Sequence, residues 1–236
     1  MESLLFVDLS GALSASRGGL WLPLVLIAVP AYFLGCFNGS VIISKYILKD
    51  DIRTHGSGNA GLTNFYRTFG GRLTLAVILM DMLKAVFAVL IGMAVARHFF
   101  SASGAEGTIV LALGKYWGGM FCLFGHMFPC MFHFRGGKGI LSGGAMTLLI
   151  DWRVALVVWG SFFILAVLTR YVSLGSVCAA AGYPIVSWCV FQNVQILILA
   201  LVTGGMVIWR HRSNIGRLIH GTESKFTVRH KTEGKQ

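Results

Sequence analysis

The chain has 236 residues, 56% of them hydrophobic and only 12% charged. A globular protein carries about 25% charged residues, so half the usual complement is missing, and the mean hydropathy is +0.73. An ordinary soluble enzyme, a disordered chain and a collagen-like chain are excluded. Twenty Lys and Arg against nine Asp and Glu give a net charge of +11. Beside a bilayer this excess arises because cytoplasmic loops collect cations and the membrane admits few acids, so no nucleic-acid partner is expected.

Crossing the hydrocarbon as a helix takes about 20 apolar residues. In chain order the candidates are Leu20 to Ile43, Leu73 to Ala96, Thr108 to Phe128, a short Gly139 to Ile150, Val154 to Leu168, Leu174 to Phe191 and Val194 to Trp209. The expected fold class is therefore all-α: one polytopic membrane domain over residues 1–236, with about seven transmembrane helices, the fourth short. Lys45, Lys49, Arg53, Arg67, Arg72, Arg135, Lys138, Arg170 and the basic residues from Arg210 onward share one side if the N-terminus is outside. The outside then keeps Arg17, Arg97 and Arg153, with Lys115 the one further candidate. Short loops rich in Lys and Arg stay in the cytoplasm, which sets the orientation as N-out, C-in.

Glu2 and Asp8 precede the first run without a basic cluster, so a cleaved signal peptide is not expected. The five cysteines are odd in number, form no CxxC pair and lie mostly in apolar runs, as small core residues would. From Ser224 the tail is polar and basic and is expected to be flexible and cytoplasmic.

With this topology three polar segments share the cytoplasmic face. The first, His55-Gly56-Ser57-Gly58-Asn59-Ala60-Gly61-Leu62-Thr63-Asn64 with Arg67 beyond it, satisfies GxGxxG. That pattern marks a dinucleotide site only between a strand and a helix, and neither neighbour reads as a strand. What survives is the physics: glycines let backbone N–H groups converge on an anion, hydroxyls and amides add donors, and an arginine grips phosphate with a planar fork. A plain turn between two membrane helices would also use such glycines.

In the second segment His126 precedes Gly136-Gly137-Lys138-Gly139. Phe132 and Gly139 stand where a Walker A loop needs Gly and Ser or Thr, so ATP binding by that route is excluded. Lys138 at a helix start suits a phosphate, or it is an anchor at the membrane surface. In the third, His211, Asn214 and Arg217 are spaced to share a helix face, with Glu223 closing the segment. A solvated basic cluster is the plainer reading of that spacing. Asp81 and Lys84 fall inside a span, where a charge costs about 2.5–3.5 kcal/mol, and their spacing allows them to pair. A GxSxG elbow and an HExxH helix are absent from the sequence.

The stretches GSGNAGLTNFYR (Gly56 to Arg67), GHMFPCMFHFRGGKG (Gly125 to Gly139) and HRSNIGRLIHGTE (His211 to Glu223) together resemble the three signature motifs of the acyl-phosphate:glycerol-3-phosphate acyltransferases, the PlsY-type bacterial family. LMDMLK at Leu79 to Lys84 and RYVSLGS at Arg170 to Ser176 extend the resemblance over nearly the whole chain. It implies transfer of a fatty acyl group from acyl phosphate to the 1-hydroxyl of glycerol 3-phosphate, without metal or organic cofactor, at the cytoplasmic face of the bacterial inner membrane. The enzyme that makes acyl phosphate becomes a candidate partner, beside the lipid bilayer. By similarity, Ser57, Arg67, Lys138, His211 and Asn214 hold glycerol 3-phosphate and carry the reaction. Gly58, Asn59, Gly61, Thr63, Asn64, Ser173 and Ser176 line the acyl phosphate, and Arg53, Asp81, Lys84, His126, Gly136, Gly137, Arg217 and Glu223 support the site. Either His211 or a substrate phosphate oxygen could take the hydroxyl proton. The rival reading is a transporter of a phosphorylated solute, whose site would lie near the midplane, often within repeats; no repeat is visible.

Overall fold

The computed structural model describes residues 19–100 and 103–226, and every regular element among them is helical. Helix α1 (Trp21–Cys36) leads through Phe37 and Asn38 into α2 (Gly39–Ile42), which continues as a π turn over Ile43–Ile47. A short α3 (Leu62–Thr68) precedes the long helices α4 (Leu73–Phe99) and α5 (Gly104–Met127). Then come α6 (Ile140–Ile150), α7 (Trp152–Thr169), α8 (Val172–Phe191), α9 (Val194–Arg210) and α10 (Arg212–Ile219). The seven apolar runs expected from the sequence thus all become helical, the first as two helices broken at Phe37 and Asn38. Five elements (Trp21–Ile47, α4, Gly104–Phe132, α7 and α8) are long and apolar enough to cross a bilayer, and α9 with α10, bent by 59°, is a sixth.

The fourth segment is short, as expected. Its 11 residues rise about 17 Å, roughly half of a 30 Å hydrocarbon layer. Its inner end is closed from the side: Lys115 Nζ donates to the carbonyls of Leu149 at 2.8 Å and Ile150 at 3.5 Å. Lys115 therefore caps a helix from within α5 and does not belong to the outer charge group. Asp151, at the turn into α7, accepts from its own Arg153.

Helices in lipid gain little from hydrophobic transfer and associate through close packing of small residues. Gly92 on α4 and Gly114 on α5 show this, since a Cβ on either would run into the other's carbonyl. The main core draws on every helix from α4 to α9, with Tyr116, Leu123, Met146 and Ile196 almost wholly enclosed. Helix α7 touches mainly α8 and α6 and leaves Leu156, Phe163, Val167 and Leu168 exposed, the surface of a helix that faces lipid. The cysteines are not uniformly core residues: Cys36 and Cys122 are buried, but Cys130 and Cys189 are exposed. Cys130 surfaces because it begins the 3-10 turn Cys130–Phe132 between two membrane helices.

Candidate active site

All three polar segments converge at one end of the bundle, around the mouth of a cavity of about 900 Å³. Ser57, Asn59, Gly61, Thr63, Asn64, Arg67, Asp81, His126, Lys138, Ser173, Ser176, His211, Asn214, Arg217 and Glu223 all line it. Below the mouth the wall turns apolar, with Leu123, Met146, Val158, Trp159 and Phe162. On α8 the lining runs from Ser173 to Tyr183, about 15 Å at the helical rise.

The first segment is a loop built around one side chain. Asn64 Nδ2 points at the carbonyls of His55 (3.0 Å), Asn59 (3.1 Å) and Ile52 (3.3 Å), and its Oδ1 accepts from Ser57 N–H (3.2 Å). Gly56 has φ +55° and lies so close that a Cβ there would overlap Asn64 Oδ1. Asn64 is thus committed to the loop's own backbone and shapes it rather than meeting a ligand through its amide. Gly58, at φ +68°, donates to His55 O and turns the chain without lining the cavity. Arg53 also stays outside, bound to Asp51 and to Phe132 O at 2.8 Å, so it ties this loop to the second segment.

In the second segment Gly136 and Gly137 donate to Met127 O and His126 O, while their carbonyls accept from Arg210 at 3.0 Å each. A Cβ on Gly136 would strike His126 O, so the turn can be this tight only with glycine. Arg210 is a scaffold residue that sequence reasoning missed. At the end of the last apolar run it reads as one more cytoplasmic anchor. The turn delivers Lys138 to the cavity mouth, where its ammonium donates to Asn214 Oδ1. Burial, then the nearby Arg217 charge, pulls the Lys138 pKa down from 10.5 to about 8.

The third segment breaks where the spacing suggested one continuous helix. His211 sits at the 59° bend, and only Asn214 and Arg217 lie on α10. The bend still brings all three to the cavity. Glu223 joins them: Oε1 accepts from Asn214 Nδ2 and Ser173 Oγ, both at 2.7 Å, and Oε2 accepts from Arg217 Nε at 2.6 Å. Burial works to raise the Glu223 carboxyl, but the donors Ser173, Asn214 and Arg217 outweigh it and hold the pKa below the usual value. Glu223→Gln is expected to cost at least one of these contacts, each worth about 1.5–3 kcal/mol to a charged acceptor. Ligand affinity at the mouth should drop roughly tenfold in a direct binding measurement, and unchanged affinity would remove Glu223 from the network.

Ser176 lines the cavity but gives its hydroxyl proton to Val172 O. Arg67 donates to Ser224 O and Lys225 O, Tyr66 stacks on Phe226, and Phe226 N–H donates to Arg170 O. The tail expected to be loose from Ser224 is therefore tethered across the mouth as far as Phe226. Residues 227–236 of that expected tail lie outside the described residues.

The site of this multi-pass helical membrane protein thus gathers the cations Arg67, Lys138 and Arg217 at the mouth of a cavity whose deeper wall is apolar. The glycerol-3-phosphate acyltransferase family profile matches residues 25–221. The curated glycerol-3-phosphate acyltransferase of Clostridioides difficile is 41% identical over 201 residues, covering 85% of this chain and 94% of the relative. That of Thermoanaerobacter pseudethanolicus is 38% identical over the same length and coverage. The crystal structure of PlsY (YgiH), an integral membrane glycerol 3-phosphate acyltransferase, in its glycerol 3-phosphate form superposes with a TM-score of 0.74 at 30% identity, covering 86% of this chain and 96% of that one. Its lysophosphatidic acid form gives 0.71 at 30% identity, with 86% and 95% covered. The chain belongs to the glycerol-3-phosphate acyltransferase family.

Proposed function

We propose that the chain transfers a fatty acyl group from acyl phosphate directly to the 1-hydroxyl of glycerol 3-phosphate. Acylation of glycerol 3-phosphate follows from the family. The donor, the route and the residue roles rest on the site. The observation that carries them is the cluster of Arg67, Lys138 and Arg217 at the mouth, with Glu223 paired to Arg217, over an apolar cavity. Two phosphate-bearing reactants, one with a long tail, match that division of charge and grease.

The proposed roles follow from position. Ser57, Arg67, Lys138 and Asn214 hold the glycerol phosphate. The donor's phosphate lies against Asn59, Gly61, Thr63, Ser173 and Ser176, on backbone shaped by Gly58 and Asn64. His211 Nδ1 lies 2.8 Å from Val207 O. A carbonyl can only accept, so Nδ1 carries the proton and neutral Nε2 keeps its lone pair. His211 lines the cavity, which makes Nε2 the group placed to take the hydroxyl proton. The glycerol oxygen then attacks the carbonyl carbon, a new C–O ester bond forms, the carbonyl-to-phosphate C–O bond breaks, and inorganic phosphate leaves with lysophosphatidate as product. A mixed anhydride is already activated, so positioning and charge stabilisation suffice.

Purified protein incubated with palmitoyl phosphate and glycerol 3-phosphate should give lysophosphatidate and phosphate. No product, together with uptake of glycerol phosphate into proteoliposomes, would favour transport. Incubation with radiolabelled palmitoyl phosphate alone should leave no label on denatured protein. Hydroxylamine-labile, stoichiometric label that discharges onto glycerol phosphate would overturn direct transfer.

The lowered Lys138 pKa sets a pH dependence. The ammonium is present below about 8 and lost above it, while a phosphate monoester completes its ionisation near pH 6. KM for glycerol 3-phosphate should therefore be lowest between these values and rise through pH 8. Lys138→Arg should abolish that rise, because a guanidinium stays charged. A flat wild-type profile would show that Lys138 does not anchor the phosphate.

The basic residues gathered at the mouth also support a site facing the cytoplasm of a bacterial inner membrane. Cysteines placed at the exposed Thr54 and Ser213, in a chain without native Cys, should react with impermeant thiol reagents from the cytoplasmic side only. One at Ser103 should react from the outside only, and the opposite pattern would invert the topology.

A further inference from the structure

Beneath the mouth, Asp81, Lys84 and His126 form a buried polar cluster, each at most 4% exposed. Lys84 Nζ sits 2.7 Å from Asp81 Oδ1 and donates to Gly35 O and Phe37 O at 3.2 and 3.1 Å. It also lies 2.8 Å from His126 Nδ1. An ammonium has only protons to give, so Nδ1 must accept, and the neutral imidazole carries its proton on Nε2. Asp81 faces Lys84 as its ion-pair partner, and Gly39 N–H donates to the same Asp81 oxygen at 3.2 Å.

This network leaves Nε2–H with no hydrogen-bond partner among the described residues, on a side chain that lines the cavity. Its surroundings are cut to receive it. Gly137 lies so close that a Cβ there would overlap Nε2. A buried histidine serving only as filler has no need for a partner fixing its tautomer or for a glycine opposite its free edge. That edge is not sealed inside the protein, so the donor is open to the cavity and to whatever occupies it.

Depth identifies the atom that Nε2–H meets. One turn back along α5 is Leu123, which packs against Gly139 at the start of α6 as part of the apolar wall, while the neighbouring Lys138 lines the charged mouth. His126 therefore stands where the charged mouth meets the alkyl cavity. In an acyl phosphate the group at that boundary is the carbonyl. Resting on the acyl-phosphate reading, we propose that His126 donates an Nε2–H hydrogen bond to the acyl carbonyl oxygen and stabilises the negative charge it gains when the glycerol hydroxyl attacks. His126 keeps its proton throughout. Lys84 and Asp81 act through it as positioning residues.

The test uses full-length protein and separates this claim from the donor assignment, because wild-type turnover of palmitoyl phosphate is established first. Failure there would sink the donor reading. With turnover in hand, His126→Phe should lower kcat by about 10²–10³-fold, the usual loss for one oxyanion donor, with KM for glycerol 3-phosphate changed less than about twofold. His126→Gln, which can offer an amide N–H near the Nε2 position, should recover most of the loss. Near-normal kcat in the Phe variant, equal loss in both variants, or a change confined to KM for glycerol 3-phosphate would overturn the proposal. A measurement on the wild type does not depend on how the variants fold. In ¹⁵N-histidine spectra, His126 should be the Nε2-protonated tautomer, and its Nε2–H proton should shift when a non-reacting long-chain β-ketophosphonate is added. An Nδ1-protonated ring, or no shift at saturating ketophosphonate, would equally overturn it.

Discussion

Lys138→Ala is expected to lower kcat/KM for glycerol 3-phosphate by roughly ten- to hundredfold. The variant removes a charge-assisted contact worth about 1.5–3 kcal/mol and strands the Asn214 carbonyl oxygen that Lys138 engages. The loss should appear chiefly in KM. Arg67→Ala should do the same, with one difference: Arg67 is exposed and tethers Ser224 and Lys225, so its removal also loosens the strap across the mouth, which Tyr66 and Arg170 still hold at Phe226. Arg67→Lys should remain impaired, since an ammonium cannot reproduce the planar two-pronged fork. Steady-state kinetics with both substrates varied decide the matter. Normal KM in Lys138→Ala or Arg67→Ala would void the anchor assignment. Full activity in Arg67→Lys would mean that Arg67 contributes charge alone.

His211→Ala should act on kcat, by about 10²–10⁴-fold, the range for a positioned general base. The geometry distinguishes two origins of such a loss. With Nδ1–H fixed on Val207 O, His211 presents a lone pair to the cavity and no positive charge to a phosphate. A base role therefore predicts that KM for glycerol 3-phosphate changes little, and that the acid limb of the kcat profile vanishes in the variant. If kcat survives and KM alone rises, His211 is a binding residue and a substrate phosphate oxygen takes the proton. The double variant with Lys138→Ala should show losses that do not add, because both groups act on one bound headgroup.

Much of the fold could be read along the chain. Six of the seven apolar runs became single helices within a few residues of their expected ends, and the first was broken in two at Phe37 and Asn38; hydrocarbon leaves the backbone no partner except itself and so turns local composition into secondary structure. The shortness of α6 was visible for the same reason. What composition could not show was that the last span would bend at His211, or that Lys115 would reach sideways to cap α6. Those features depend on neighbours distant in sequence.

The site divides along the same line. Glycine, arginine and histidine in three loops on one face, with Lys138 among them, pointed to an anion-handling surface. Local pattern alone could not say which members touch a ligand. Asn64 and Arg53 carry ideal donor groups, yet the folded chain spends them on loop carbonyls. Glu223, an acid among cations, becomes the acceptor that aligns Ser173, Asn214 and Arg217. Arg210 is drawn to two glycine carbonyls. The proton position on His126 was set by Lys84, 42 residues away in the chain. Sequence determined which chemical groups were present and on which face of the bundle. Tertiary structure alone decided which donors remain free, because in a buried site every polar group must find a partner and only the packing says which one.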